Sequence, residues 1–90
     1  MVTATESEFH IVLSNTALSA GSWTFVVTNA GHTSHDLVVN GPGVQNKGTA
    51  FLSPGQTANL TVTLQKGTYA VFCSIDGHRD LGMNTSVTVS

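Results

Sequence analysis

Charge is what this chain has least of. Asp, Glu, Lys and Arg make up 9 % of its 90 residues, against ~25 % in ordinary soluble domains. The only Lys and Arg residues are Lys47, Lys66 and Arg79. They are too few to build a basic patch, so no nucleic-acid partner is expected. The formal net charge is −2, and docking through a large charged surface is not expected either. Long hydrophobic runs are also absent. No apolar stretch approaches the ~18 residues of a bilayer-crossing helix, so no membrane span is expected in this chain. Cysteine occurs once. A single cysteine excludes an internal disulfide and leaves the redox compartment undefined. No secretory signal is recognisable at the N-terminus as given.

What remains reads as strand and turn. The length predicts one domain, residues 1–90, near the lower size limit for a self-sufficient core. Period two dominates, with no helical window. Phe9, Ile11 and Leu13 alternate in a first strand, Trp23, Phe25 and Val27 in a second, and Leu60, Val62 and Leu64 in a later one. The last strand runs from Thr85 to Ser90, with Val87 and Val89 on one face. Turn residues separate the runs at Asn29-Ala-Gly31, Gly41-Pro-Gly43, Pro54-Gly55, Lys66-Gly67 and Asp76-Gly77. Short, evenly spaced strands predict an all-β fold, an antiparallel β-sandwich. The stretch from Gly41 to Ala50 reads as a surface loop between the sheets.

The chemistry is concentrated near the C-terminus. Four residues separate Cys73 from His78, and four more separate His78 from Met83. Thiolate, imidazole and thioether are metal donors of graded softness. His35 lies far upstream. Two His and one Cys with a weak axial Met is the donor set of a blue-copper electron-transfer site. Alternation puts Cys73 on the face of Tyr69 and Val71, His35 on that of Leu37 and Val39, and Met83 on that of Val87 and Val89. These donors sit at the ends of inward-facing rows, with His78 in the loop between two strands. Gly77 and Gly82 precede His78 and Met83, where a tight return needs backbone freedom. Taken singly, an unpaired Cys is usually a small buried hydrophobe and a lone Met core filler. The joint pattern is the argument. His32 competes with His35, but Asn29-Ala-Gly31 predicts a turn that turns it away. His10 has the parity of a solvent-facing residue. Tyr69 and Phe72 read as packing residues.

These motifs resemble the cupredoxins, the type 1 copper family of plastocyanin, auracyanin and rusticyanin. The likeness runs over residues 7–90, through Phe25-Val-Val-Thr-Asn29, His35-Asp-Leu37, Leu52-Ser-Pro-Gly55, Gly67-Thr-Tyr69, Phe72-Cys73, Gly77-His78 and Gly82-Met83. It implies a Greek-key β-sandwich with copper at one end. It also implies His35 and His78 as equatorial ligands, Cys73 as the thiolate and Met83 as the axial donor. With four protein ligands and no open position, catalysis at the metal is not expected. The implied function is one-electron carriage by a monomer whose redox partners dock near His78. Ile75 and Leu81 would supply an apolar docking patch there. The expected location is periplasmic or extracellular, with the leader absent from this chain, or membrane-tethered in a longer form. Three positions depart from the family's habit: Asp36 where Asn or Ser is common, Asp76 where Pro is frequent, and Thr85 where Gly is frequent. Alternatives are a copper-delivery protein, a domain excised from a larger membrane-anchored or multicopper protein, and a metal-free adhesion sandwich. Delivery sites favour several Cys or Met, and further coppers need paired His motifs. This chain has neither.

Overall fold

Rows of alternating apolar residues have to find a second apolar surface, and two facing sheets provide it. The computed structural model describes residues 1–75 and 77–90, so Asp76, the expected departure in the ligand loop, lies outside the described residues. The strands are β1 (Val2–Ser7), β2 (His10–Leu13), β3 (Ala17–Leu18), β4 (Gly21–Asn29), β5 (Val38–Gly41), β6 (Val44–Gly48), β7 (Thr57–Leu64), β8 (Gly67–Phe72) and β9 (Asn84–Val89). One sheet has the order β2-β1-β4-β7, the other β3-β9-β8-β5-β6. Phe25 and Val27 from β4 and Leu60, Val62 and Leu64 from β7 face inward in the first sheet. Val39 from β5, Tyr69 and Val71 from β8, and Val87 and Val89 from β9 join them in the same core from the second.

Three expectations need correction. The sandwich is not purely antiparallel, because β1 pairs with β4, and β3 with β9, in parallel. Parallel neighbours need a crossover, and the excursion through β2 and the short β3 supplies it for β1 and β4. The first strand is also not Phe9–Leu13 alone. A preceding strand, β1, contributes Val2 and Ala4 to the core, and a buried glutamate, Glu6, in the same row. The 41–50 stretch is not a plain loop. Its middle, Val44–Gly48, is β6, an edge strand paired antiparallel with β5. Only Val44 in β6 is buried, and the rest of the strand is exposed. Polar residues suit an edge, where backbone bonds and not side-chain burial hold the strand.

Tyr69 does more than pack. Its ring is fully buried, while its hydroxyl donates to the Pro42 carbonyl and accepts the Gln65 N–H at 2.7 Å. One side chain thus ties the β5–β6 turn to the β7–β8 turn. Tyr69→Phe keeps the ring and leaves both backbone groups without that partner. Chemical denaturation should show a loss of about 1–2 kcal/mol. A change within a few tenths would mean that water replaces the hydroxyl at no cost.

Candidate metal centre

His35 is held at the edge of the sandwich by its own backbone. Its N–H donates to the Leu52 carbonyl at 3.1 Å, and its carbonyl accepts the Leu52 N–H at 2.7 Å. The loop before it is organised by buried Asn29, whose amide donates to the carbonyls of Thr33 and Leu52 and accepts the Gly31 N–H. Cys73 follows the end of β8, and Met83 precedes β9. Between them the chain turns back on itself. His78 N–H donates to Ile75, Leu81 N–H to Gly77 and His78, and Met83 N–H to His78. The Cys73 N–H closes the loop by donating to the Met83 carbonyl at 3.1 Å. Gly77 and Gly82 have φ of +78° and +124°, where a Cβ would be strained. A Cβ on Gly82 would also meet the Phe9 carbonyl at 2.8 Å.

The fold brings His35, Cys73 and His78 together at one pole. Their donor atoms lie within 4.8 Å of one another. Nδ1 of His35 is 3.2 Å from Nδ1 of His78, and Cys73 Sγ is 4.0 and 3.8 Å from those two nitrogens. Typical bonds of ~2.0 Å to nitrogen and ~2.3 Å to sulfur, spread trigonally, require donor separations of about 3.5 Å between the nitrogens and about 3.7 Å from each nitrogen to sulfur. The triangle therefore fits one first-row metal ion. Met83 is fully buried, and its backbone bonds to both Cys73 and His78. His32 is exposed and stands outside the cluster, as does His10.

Exposure differs across the triangle. His35 and Cys73 are sealed, whereas His78 is partly open. Burial pushes the Cys73 thiol up to about 11, helped by the negative charge of Asp36, while N–H groups of Asp36 and Ile75 pull the other way. A thiol so placed becomes a thiolate only when a cation offsets its desolvation. Asp36 is itself buried. Its carboxylate accepts the Ser74 N–H at 2.6 Å and the Ser74 hydroxyl. Asp36 thus bonds across the site to the backbone beside Cys73.

Two neighbours of the site escape sequence reasoning. Phe9 packs edge-on against the His78 ring, with centroids 5.0 Å apart. Glu8 places Oε1 3.2 Å from His35 Nε2. That same oxygen accepts the N–H groups of His32 and Thr33, at 2.6 and 2.7 Å, and the Thr33 hydroxyl at 2.9 Å. Desolvation raises the Glu8 pKa, but these hydrogen bonds outweigh it and lower the pKa to about 2. No spacing rule links residue 8 to residue 35. The one available signal is rarity, since the chain has only five acidic residues.

The sequence model for copper binding proteins of the plastocyanin/azurin family matches residues 2–90. The chain belongs to that family: it is a cupredoxin, and copper is its cofactor. No curated protein matches it by sequence. Among solved structures it is similar to reduced auracyanin from Roseiflexus castenholzii, with TM-score 0.78, 19 % identity, and 98 % of this chain and 94 % of that one covered. Auracyanin A from Chloroflexus aurantiacus gives TM-score 0.79 at 17 % identity, over 99 % and 98 % of the two chains. Rusticyanin from Thiobacillus ferrooxidans gives 0.71 at 23 %, over 99 % and 75 %. Identities this low establish a shared fold and nothing finer.

Proposed function

We propose that the chain is a mononuclear type 1 copper protein that carries one electron between redox partners. Copper would be held by His35 and His78 through Nδ1 and by Cys73 through Sγ, with the Met83 thioether as the weak fourth donor. The observation that carries this reading is the donor triangle, which matches the size of one ion and is closed by two imidazoles and a thiol. That donor set is the one associated with electron-transfer copper. Copper, when bound, supplies one-electron exchange between Cu(I) and Cu(II). The chain supplies a preformed cage on strand ends and a tight loop, so neither oxidation state demands rearrangement. Four protein donors leave no position for substrate, which favours a carrier over an enzyme.

The electron's exit is the half-open His78. Exposed Leu81 lies on the same loop, with partly buried Ile75 nearby. A redox partner would dock there by apolar contact, since Arg79 and Asp80 largely cancel at a distance. We assign the protein to the periplasm or the cell exterior, as a monomer; cell fractionation and sedimentation test those two points. The function itself is tested by titrating the metal-free protein with Cu(II). One equivalent should produce an intense visible thiolate-to-copper band and a reversible one-electron wave. A colourless one-to-one complex would overturn the reading.

Asp36 should set the potential. Its carboxylate is buried beside the Cys73–Ser74 peptide, where negative charge favours Cu(II). Asp36→Asn keeps the acceptor for Ser74 and removes the charge. Voltammetry should show a rise of up to ~60 mV, a tenfold change in preference for a one-electron couple. No change, or a fall, would remove Asp36 from the electrostatics of the site.

A further inference from the structure

We infer that Glu8 is a positioning residue for the metal centre: its carboxylate accepts the Nε2 proton of His35 and so directs the bare Nδ1 lone pair at Cys73 and His78. The inference rests on the copper site proposed above. It goes beyond that site in naming the group that prepares one of its ligands.

The geometry leaves little choice of tautomer. Oε1 of Glu8 already accepts from two N–H groups and a hydroxyl, so at 3.2 Å the ring nitrogen must be the donor. A neutral imidazole protonated at Nε2 is unprotonated at Nδ1, and Nδ1 is the atom that faces His78 Nδ1 and Cys73 Sγ. The nearest competitor for Nε2 is the Thr33 hydroxyl, at 3.5 Å, and that hydroxyl already donates to Glu8. Glu8 is itself fixed. Two successive N–H groups and a hydroxyl, all from the loop leading into His35, converge on the same oxygen. Gly31 leaves the space for it, because a Cβ there would meet the Glu8 carboxylate at 2.6 Å.

Three consequences follow from the chemistry. The ring orientation of His35 is set before any metal arrives. A carboxylate behind an imidazole raises its basicity as a ligand. The added negative charge favours Cu(II) over Cu(I), as any anion close to the metal does. Glu8 thus helps to hold the potential down, from a position in sequence far from every ligand.

Glu8→Gln separates charge from shape, because its amide oxygen can still accept from His32, Thr33 and His35. Long-range proton–nitrogen NMR of the metal-free protein reads the His35 tautomer directly, with no dependence on copper. The parent should show the Nε2–H form. Glu8→Ala should show a mixture of tautomers, and Thr33→Val should keep the parent's form. In the copper-loaded proteins, Glu8→Gln should retain the visible band and shift the Cu(II)-to-Cu(I) preference about tenfold towards Cu(I), read as a potential ~59 mV higher. Glu8→Ala should bind Cu(II) about 10–100-fold more weakly in a chelator competition. A parent protein without the thiolate band would overturn the copper reading and leave the tautomer result standing. Where the parent shows that band, an Nδ1–H tautomer in it, or an unmoved potential in Glu8→Gln, would overturn the role of Glu8. Loss of the Nε2–H form in Thr33→Val alone would transfer that role to Thr33.

Discussion

Cys73→Ser should give a folded protein that stays colourless when Cu(II) is added. The visible band of such sites is charge transfer from a thiolate, and Cys73 is the chain's only cysteine. Serine is close to isosteric, so the N–H groups of Asp36 and Ile75 that now meet sulfur can meet oxygen instead. Circular dichroism of the variant should match the parent. The metal is affected far more than the fold. A hydroxyl is a hard donor with little tendency to ionise, and Cu(I) strongly prefers soft sulfur. The one-electron wave should vanish with the colour. His35→Ala should also destroy the spectrum, whereas His32→Ala should leave it nearly intact, because only His35 reaches the donor triangle. A serine variant that kept its band, or a spectrum lost with His32 and kept without His35, would mean that the ligands had been misassigned.

The parts of the fold legible in the sequence were those where one residue in two meets the core. β4, β7 and β9 alternate buried and more exposed side chains, and period two shows this directly. β6 was opaque for the opposite reason. It buries Val44 alone and is held to β5 by backbone bonds that any sequence can make. Parity also failed locally at Val38 and Phe72, which are nearly buried although their neighbours Val39 and Val71 face the core. Arg79 lies 4.0 Å over the Phe72 ring, and Gly48 of β6 approaches Val38. Loop and edge thus cover the outer face of that sheet at one end. At the metal centre, the donors could be read because copper demands particular atoms at particular spacings. Glu8 and Phe9 could not, since what places them is the antiparallel return from β1 to β2 beside the pole, a tertiary event with no local code.

Glu6 defeated the reading of β1, and it carries the largest stability effect expected in the molecule. It occupies an inward position in the row of Val2 and Ala4, it is fully buried, and neither carboxyl oxygen has a hydrogen-bond partner among the described residues. Asn29, its neighbour across β4, cannot help, because that amide is committed to Gly31, Thr33 and Leu52. Desolvation, and then the negative charge of Asp36, raise the Glu6 pKa from 4.5 to about 8. The native state therefore keeps its proton where the unfolded chain releases it. Between those two values the unfolded state binds fewer protons, so stability falls as pH rises. Glu6 contributes no penalty of ionisation below pH ~4.5, costs up to about 1.4 kcal/mol more per pH unit above it, and levels off beyond pH ~8. Glu6→Leu replaces the carboxyl with apolar volume in an apolar row. The variant should be more stable than the parent, with both in the same metal state. Its advantage should be least near pH 4.5 and should widen by a few kcal/mol by pH 8. Denaturant titrations at four or five pH values measure the gap. A gap that stays constant with pH, or a variant less stable at pH 8, would mean that the native carboxyl is solvated or paired and that β1 carries its glutamate without penalty.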